Sequence, residues 1–187
     1  MLVRYADDFV VICPTEQRAE EAQRRVSAIL GTLGLQLNPD KTRIVGLAGG
    51  SGGFDFLGFH LRKVEHWKWK RRWYLQRWPS VRAMASVRAK IRAGTDRRYV
   101  GLDLSIVVSR LNPVLRGWAA YFRYGNSARK FSLIDSYVHE RLAILASNKH
   151  ARRGRNWQRH YNTQWLARLR PYRLTGTVRH GTAHAWR

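Results

Sequence analysis

The sequence predicts an α+β fold: antiparallel hairpins with one helix come first, and an all-helical part follows. Three observations predict it. Up to residue 79, short runs of aliphatic, aromatic and β-branched residues alternate with turn residues. Trp78-Pro79-Ser80 then forms a sharp boundary. Beyond it, apolar residues recur at three- and four-residue steps. At 187 residues the chain is long enough for a real core, since ~150 residues already hide about 70% of their unfolded surface.

Leu2–Tyr5 and Phe9–Ile12 read as the strands of a β-hairpin whose tight turn is Ala6-Asp7-Asp8. Pro14-Thr15 stops the second strand, and Thr15 is the expected N-cap of a helix from Glu16 to about Leu33. Ala19, Ala22, Val26, Ile29 and Leu33 give that helix one apolar face. Glu16, Glu20 and Glu21 lie towards its N-terminus and Arg24 and Arg25 further on, the sense its dipole favours. Leu35–Leu37, Asn38-Pro39-Asp40 and Lys41–Val45 read as strand, turn and strand. Gly46 to Gly53 reads as a glycine-rich linker, Phe54–Leu61 as one strand, and Trp67–Leu75 as its antiparallel return.

After the boundary, Val81 to about Ala93 reads as a helix with Val81, Met84, Val87 or Arg88, and Ile91 on one face. A polar loop covers 94–101. Ser105 to about Tyr124 follows, through Val107, Leu111, Val114, Leu115, Trp118 and Phe122, with Pro113 expected to kink or restart it at Asn112. Ser132 to about Ser147 is the next helix, through Ile134, Val138, Leu142 and Leu145. Residues 149–187 are basic, aromatic and weakly periodic.

Charge narrows the function. The formal net charge is +23. Residues 1–60 hold six basic and seven acidic groups, whereas residues 61–187 hold 29 basic and five acidic, so the excess belongs to the second part. Arginines outnumber lysines 28 to 7, and all eight tryptophans lie beyond residue 60. Phosphate neutralisation and base stacking need cations interleaved with aromatics, which points to nucleic acid. A membrane-surface helix would need one narrow amphipathic stripe instead. With 44% hydrophobic residues the chain is not a disordered basic tail. The single cysteine, Cys13, excludes a disulfide framework and a multi-cysteine zinc site, and reads as a small buried hydrophobe. The start does not read as a signal peptide and no transmembrane run is present, so a cytoplasmic location is expected.

Asp7 and Asp8 are the chemical signal of the first part. Adjacent carboxylates oppose each other's ionisation unless a cation lies between them. Metal-assisted phosphoryl transfer uses such groups, with two ions ~3.5–4 Å apart. An ordinary solvated Asx turn is the alternative that the pair alone leaves open.

Leu2-Val3-Arg4-Tyr5-Ala6-Asp7-Asp8-Phe9-Val10-Val11 resembles the Tyr-x-Asp-Asp hairpin of reverse transcriptases, in the form found in group II intron proteins. Leu33-Gly34-Leu35-x-Leu37-Asn38-x-x-Lys41-Thr42 resembles that family's next helix-to-strand block, and Phe54-x-Phe56-Leu57-Gly58-Phe59 its primer-grip strand. Leu111-Asn112-Pro113-Val114-Leu115-Arg116-Gly117-Trp118-Ala119-x-Tyr121-Phe122 is similar to the signature of the maturase domain. Together these four blocks, in order, resemble the C-terminal part of a group II intron reverse transcriptase/maturase.

The resemblance implies a truncated palm over 1–60, a connecting hairpin over 61–79 and a helical thumb/maturase domain over 80–187. It implies Asp7 and Asp8 as catalytic and metal-binding residues, Asp7 as the ligand and Asp8 near the primer terminus. Mg2+ belongs to a completed polymerase site only. Phe56, Leu57 and Gly58 take the primer-grip role. The family carries a further metal-binding aspartate on an earlier palm strand, and its fingers earlier still. Met1 stands four residues before Tyr5, which leaves no room for them. Glu16, Glu20, Glu21, Asp40 and Asp55 do not replace that aspartate, so the chain alone is expected not to polymerise. The endonuclease domain often found at the end of such proteins is expected to be absent.

Maturases bind their intron RNA and stabilise its splicing-competent fold, so intron RNA is the expected partner. A DNA target or RNA–DNA hybrid and an N-terminal reverse-transcriptase fragment are open alternatives. Residues 67–73, with Lys68, Lys70, Arg71 and Arg72, alternate aromatic and cation around a strand. One face either stacks on bases or packs on the core. Lys149, Arg152, Arg153 and Arg155 form the best phosphate patch, or a solvated basic loop that complements the preceding helix. Lys41 is either a phosphate contact or a surface lysine. Gly117 and Trp118 read as structural core, glycine admitting a neighbouring backbone and tryptophan filling the gap. The histidines lack metal-ligand spacing. Three functions remain: an RNA-binding maturase portion, a polymerase subunit completed by a second piece, and a general basic RNA-binding scaffold.

Overall fold

The computed structural model describes residues 1–50, 52–66, 68–69, 71–150 and 160–179. The fold is α+β, and its contacts divide it into two units. One comprises Met1–Phe56 and Leu61–Leu75, the other Leu57–His60 and Gln76–Arg187.

In the first unit, β1 (Leu2–Tyr5) and β2 (Asp8–Val11) pair antiparallel, with Leu2 opposite Val11 and Tyr5 opposite Asp8. The turn is therefore Ala6-Asp7, and Asp8 already belongs to the strand. Ala6 takes φ +52°, with Arg4 Nε donating to its carbonyl at 2.8 Å. α1 (Glu16–Thr32) begins where expected, with the Thr15 hydroxyl accepting from Arg18 N at 3.3 Å. No residue of α1 is fully buried, and Ile29 and Leu33 of the expected apolar face are 62% and 68% exposed. Cys13 is half-buried rather than buried.

Four readings of this unit are corrected. Leu35–Leu37 and Lys41–Val45 are not strands. The turn between them forms, its Asn38 Oδ1 accepting from Asp40 N at 3.0 Å and Lys41 N at 3.2 Å. A strand also needs a partner's ladder, and turn chemistry cannot supply one. The glycine-rich stretch is not a loose linker. Gly50 (φ +69°) is buried, and a Cβ there would meet the Lys63 carbonyl and the Trp73 ring at 2.9 Å each. Phe54–Leu61 is two strands, β3 (Gly53–Phe56) and β4 (Phe59–Glu65), reversed by Leu57-Gly58. Both turn residues are left-handed, at φ +49° and +77°, the pairing a tight hairpin requires. Finally, β5 is Trp73–Pro79, and the described residues Lys68, Trp69, Arg71 and Arg72 before it are not strand. The sheet order is β3-β4-β5.

The second unit holds the core. Ser80 is the expected stop-start residue: its backbone N–H donates to the Gly58 carbonyl at 2.8 Å, and its hydroxyl caps α2 (Val81–Gly94) through Ala83 N at 3.2 Å. Met84, Val87 and Ile91 are buried, but Val81, placed on that face by the sequence, is 83% exposed. α3 (Leu104–Phe122) starts from Asp103, whose carboxylate accepts from Ser105 N at 2.7 Å. It passes Pro113 without a break. Val107, Val108 and Leu111 before the proline, and Leu115, Ala119 and Phe122 after it, are all buried. That burial outweighs the ~3 kcal/mol a mid-helix proline costs. α4 (Ala128–Lys149) supplies Phe131, Ile134, Val138, Leu142 and Leu145 to the same core.

The weakly periodic end contains a short helix, α5 (Thr163–Leu169), capped by Asn162 Oδ1 from Trp165 N at 2.9 Å. After it, Asn112 on α3 accepts from Tyr172 N at 2.7 Å. Asp135 on α4 accepts from Leu174 N at 2.9 Å and Thr175 N at 2.8 Å. Leu174 is fully buried as a result. Among the described residues, no helix is long and apolar enough to cross a membrane.

Candidate nucleic-acid interface

The tandem aspartates lie at the tip of the β1–β2 hairpin, Asp7 in the turn and Asp8 at the first position of β2. Both are exposed, and neither carboxylate bonds to a described residue. No group of three or more His, Cys, Asp or Glu able to hold a metal occurs among the described residues. Exposure solvates the two charges and removes the penalty that makes buried carboxylate pairs demand a cation.

The connection from β4 to β5 presents a ring between cations. His66 Nδ1 accepts from the backbone N–H groups of Lys68 and Trp69, each at 3.2 Å. That folds Trp69 back over the imidazole, with centroids 4.6 Å apart and planes at 27°. The Arg72 guanidinium lies 5.4 Å and Lys68 Nζ 6.0 Å from the Trp69 ring centre. Arg71, at φ +64°, has its N–H tied to Glu65 Oε1 at 2.7 Å and its side chain in solvent. The alternating strand expected here is thus a turn around one tryptophan that is 53% exposed. A solvent-facing ring with cations beside it is what an unpaired base can stack on. The signal was in the sequence, since His66 and Trp69 stand at turn spacing. Lys70, also expected here, lies outside the described residues.

Other expected contacts divide. Lys41 is exposed in the Asn38 turn. Lys149 donates to the Leu102 carbonyl at 2.9 Å and helps hold the Asp103 carboxyl below its ordinary value, behind the hydrogen bonds from Ser105. Its ammonium therefore closes the loop between α2 and α3. Arg152, Arg153 and Arg155 lie outside the described residues. Leu57 and Gly58 of the expected primer grip form the β3–β4 turn, and Phe56 ends β3 half-buried. The Tyr121 hydroxyl donates to the Leu57 carbonyl at 2.9 Å, and Phe59 stacks on Tyr121 at 5.5 Å. Gly117 is not core. It is exposed, and nothing lies within 4 Å of where its Cβ would be. Helical rotation explains this: Leu115 and Trp118 face inward, and Gly117 is turned ~100° away from Trp118. Trp118 is half-buried, 4.8 Å from Phe122 and 5.5 Å from Phe131.

The helical unit keeps its cations free of carboxylates. Among its described residues the one ion pair is Arg98–Asp96 at 3.8 Å, on side chains 66% and 53% exposed. Asp135 and Asp103 are occupied with backbone N–H groups. The guanidiniums lie over rings instead: Arg88 over Tyr137 and Arg116 over Tyr172, each at 5.5 Å. A cation on a ring keeps its charge available to phosphate while its stem is held in place. Sequence reasoning missed Arg88 and Arg116, because their tyrosine partners lie on other elements.

Known families match both parts of this architecture. The reverse transcriptase (RNA-dependent DNA polymerase) family matches residues 1–61, from the acidic hairpin into β4. The group II intron, maturase-specific domain matches residues 84–165, from α2 into α5. A search of curated proteins finds no match. With the two matches in that order on one chain, the protein carries a reverse-transcriptase segment followed by a group II intron maturase-specific domain, the order of a C-terminal reverse transcriptase/maturase fragment.

Proposed function

We propose that the chain is an RNA-binding maturase portion, whose helical unit grips folded group II intron RNA in the cytoplasm and holds it ready to splice. The cationic surface of α2–α4 carries this reading: one exposed ion pair among the helical unit's described residues leaves almost the whole excess for phosphate. The Trp69 turn adds a stacking platform with Lys68, Arg71 and Arg72 around it. The division of labour follows 1–60 as palm, 61–79 as connection and 80–187 as the RNA-binding part.

The reverse transcriptase family implies a divalent metal for polymerisation. Here the donor set does not fit a pair of Mg2+ ions. Asp7 and Asp8 are neighbours on an exposed hairpin with no third ligand among the described residues. We therefore expect no primer extension on an RNA template from the purified chain. Extension that disappears in Asp7→Asn would overturn this. The RNA reading is tested by competition at ~0.15–0.2 M salt, where non-specific binding collapses. A cognate intron should bind far more tightly than tRNA. Equal affinity for both would make the protein a general basic scaffold.

A second reading is favoured by the first unit's exposed apolar residues, among them Leu2 at 62%, Tyr5 at 65%, Ile12 at 51% and Leu35 at 55%. Such a surface suits a protein cover. In this reading a fingers-containing piece completes the polymerase. Extension restored by adding that piece supports it.

A further inference from the structure

We infer that the groove between α2 and α3 is a nucleotide site, which holds one extruded base of single-stranded RNA while Lys90 and Arg110 meet the flanking phosphates. This rests on the RNA-binding reading above and gives it a place. The groove has two hollows. One, of about 440 Å³, lies between Ser86 and Lys90 on α2 and Gly117, Trp118 and Tyr121 on α3. The other, of about 160 Å³, shares Lys90 with it and adds Tyr99 and Arg110. Lys90 thus stands where they join. The larger volume falls in the range of small-ligand pockets, about 300–1,000 Å³.

The groove exists because residue 117 has no side chain: space for a Cβ is open there, with nothing within 4 Å. Trp118 beside it is braced by Phe122 and Phe131, so its ring is a fixed wall. Charge decides the occupant. Lys90 and Arg110 are exposed, and neither bonds to a described residue. No carboxylate lines either hollow. An apolar protein segment laid here would strip water from two cations without pairing them. A nucleotide brings a flat ring for the apolar wall and phosphate for the cations.

Gly117→Leu tests this, because its side chain fills the groove. Gly117 is not among the glycines with positive φ, so leucine fits the helix. The probes are an oligoadenylate of about 12 nucleotides and an abasic ribose-phosphate strand of equal length. Both are bound to the full chain at ~0.15 M salt. The native protein should prefer oligoadenylate about tenfold, the scale of one stacked base. Gly117→Leu should remove most of that preference, leaving only the share that Trp69 supplies, and bind the abasic strand as before. Lys90→Glu should weaken both strands and flatten the salt dependence by roughly one phosphate contact. Should Gly117→Leu melt below the native protein, Ser86→Phe fills the groove from α2 and reads the same preference. A variant that fills the groove, folds and keeps the native preference overturns the site, and leaves it to an apolar protein segment. A native chain that binds neither strand nor intron RNA overturns the RNA-binding reading itself.

Discussion

Asp103 shows how a single carboxylate organises the helical unit. It caps α3 through Ser105, and those hydrogen bonds, with burial opposing and Lys149 nearby, hold its pKa below the ordinary aspartate value of 3.8. A depressed folded-state pKa gives stabilisation that is complete above the ordinary value and is lost as pH falls through the lowered one. The melting temperature of the native chain should therefore fall more steeply in acid than that of Asp103→Asn. Asparagine caps equally well without titrating, so parallel acid limbs would contradict the role. Trp69 is the matching test in the first unit. Trp69→Ala should weaken single-stranded RNA binding about fivefold or more, read by titration against the native chain. Individual residues were only partly legible in the sequence. Thr15 was, because a cap acts within three residues, and Ser80 was legible as part of a boundary but not as the cap it is. Gly117 was misplaced: it was grouped with the apolar positions at helical spacing, but the repeat turns it to solvent while Trp118 is half-buried.

At the scale of elements, legibility followed locality. Helices were found because their apolar period and caps are written in consecutive residues. α5 was missed: at seven residues it is too short to show a period, and its end is secured from α3 and α4 by Asn112 and Asp135. Leu35–Leu37 and Lys41–Val45 have strand composition but no ladder, and Leu57-Gly58 hid a turn inside an apolar run. Pro113 was expected to interrupt α3 and does not, since the core on both sides holds the helix together. This gives a prediction. Pro113→Ala, which restores a backbone hydrogen bond to Ser109, should stabilise the protein by up to ~3 kcal/mol in denaturant unfolding. No gain would show that the helix is already relaxed around the proline.

For the molecule as a whole, the segregation of charge was the most legible feature, because it needs only a count. The structure adds the reason that it matters: Asp96, Asp103 and Asp135 of the helical unit accept from its own backbone, which leaves most of its cations without a carboxylate partner. The candidate interface was legible as composition, and as Lys68, Arg71 and Arg72, but not as a surface. Lys90 and Arg110 come to line one groove, and Arg88 and Arg116 meet their tyrosines, only when the helices pack. The central claim is that this surface stabilises intron RNA while the RNA performs the chemistry. The most direct measurement is the splicing rate of a cognate group II intron at a Mg2+ concentration too low for the RNA alone, with and without the full chain. Splicing should be restored by the native protein and equally by Asp7→Asn. No rise in the splicing rate when the chain is added, or a rise that is lost in Asp7→Asn, would contradict the account.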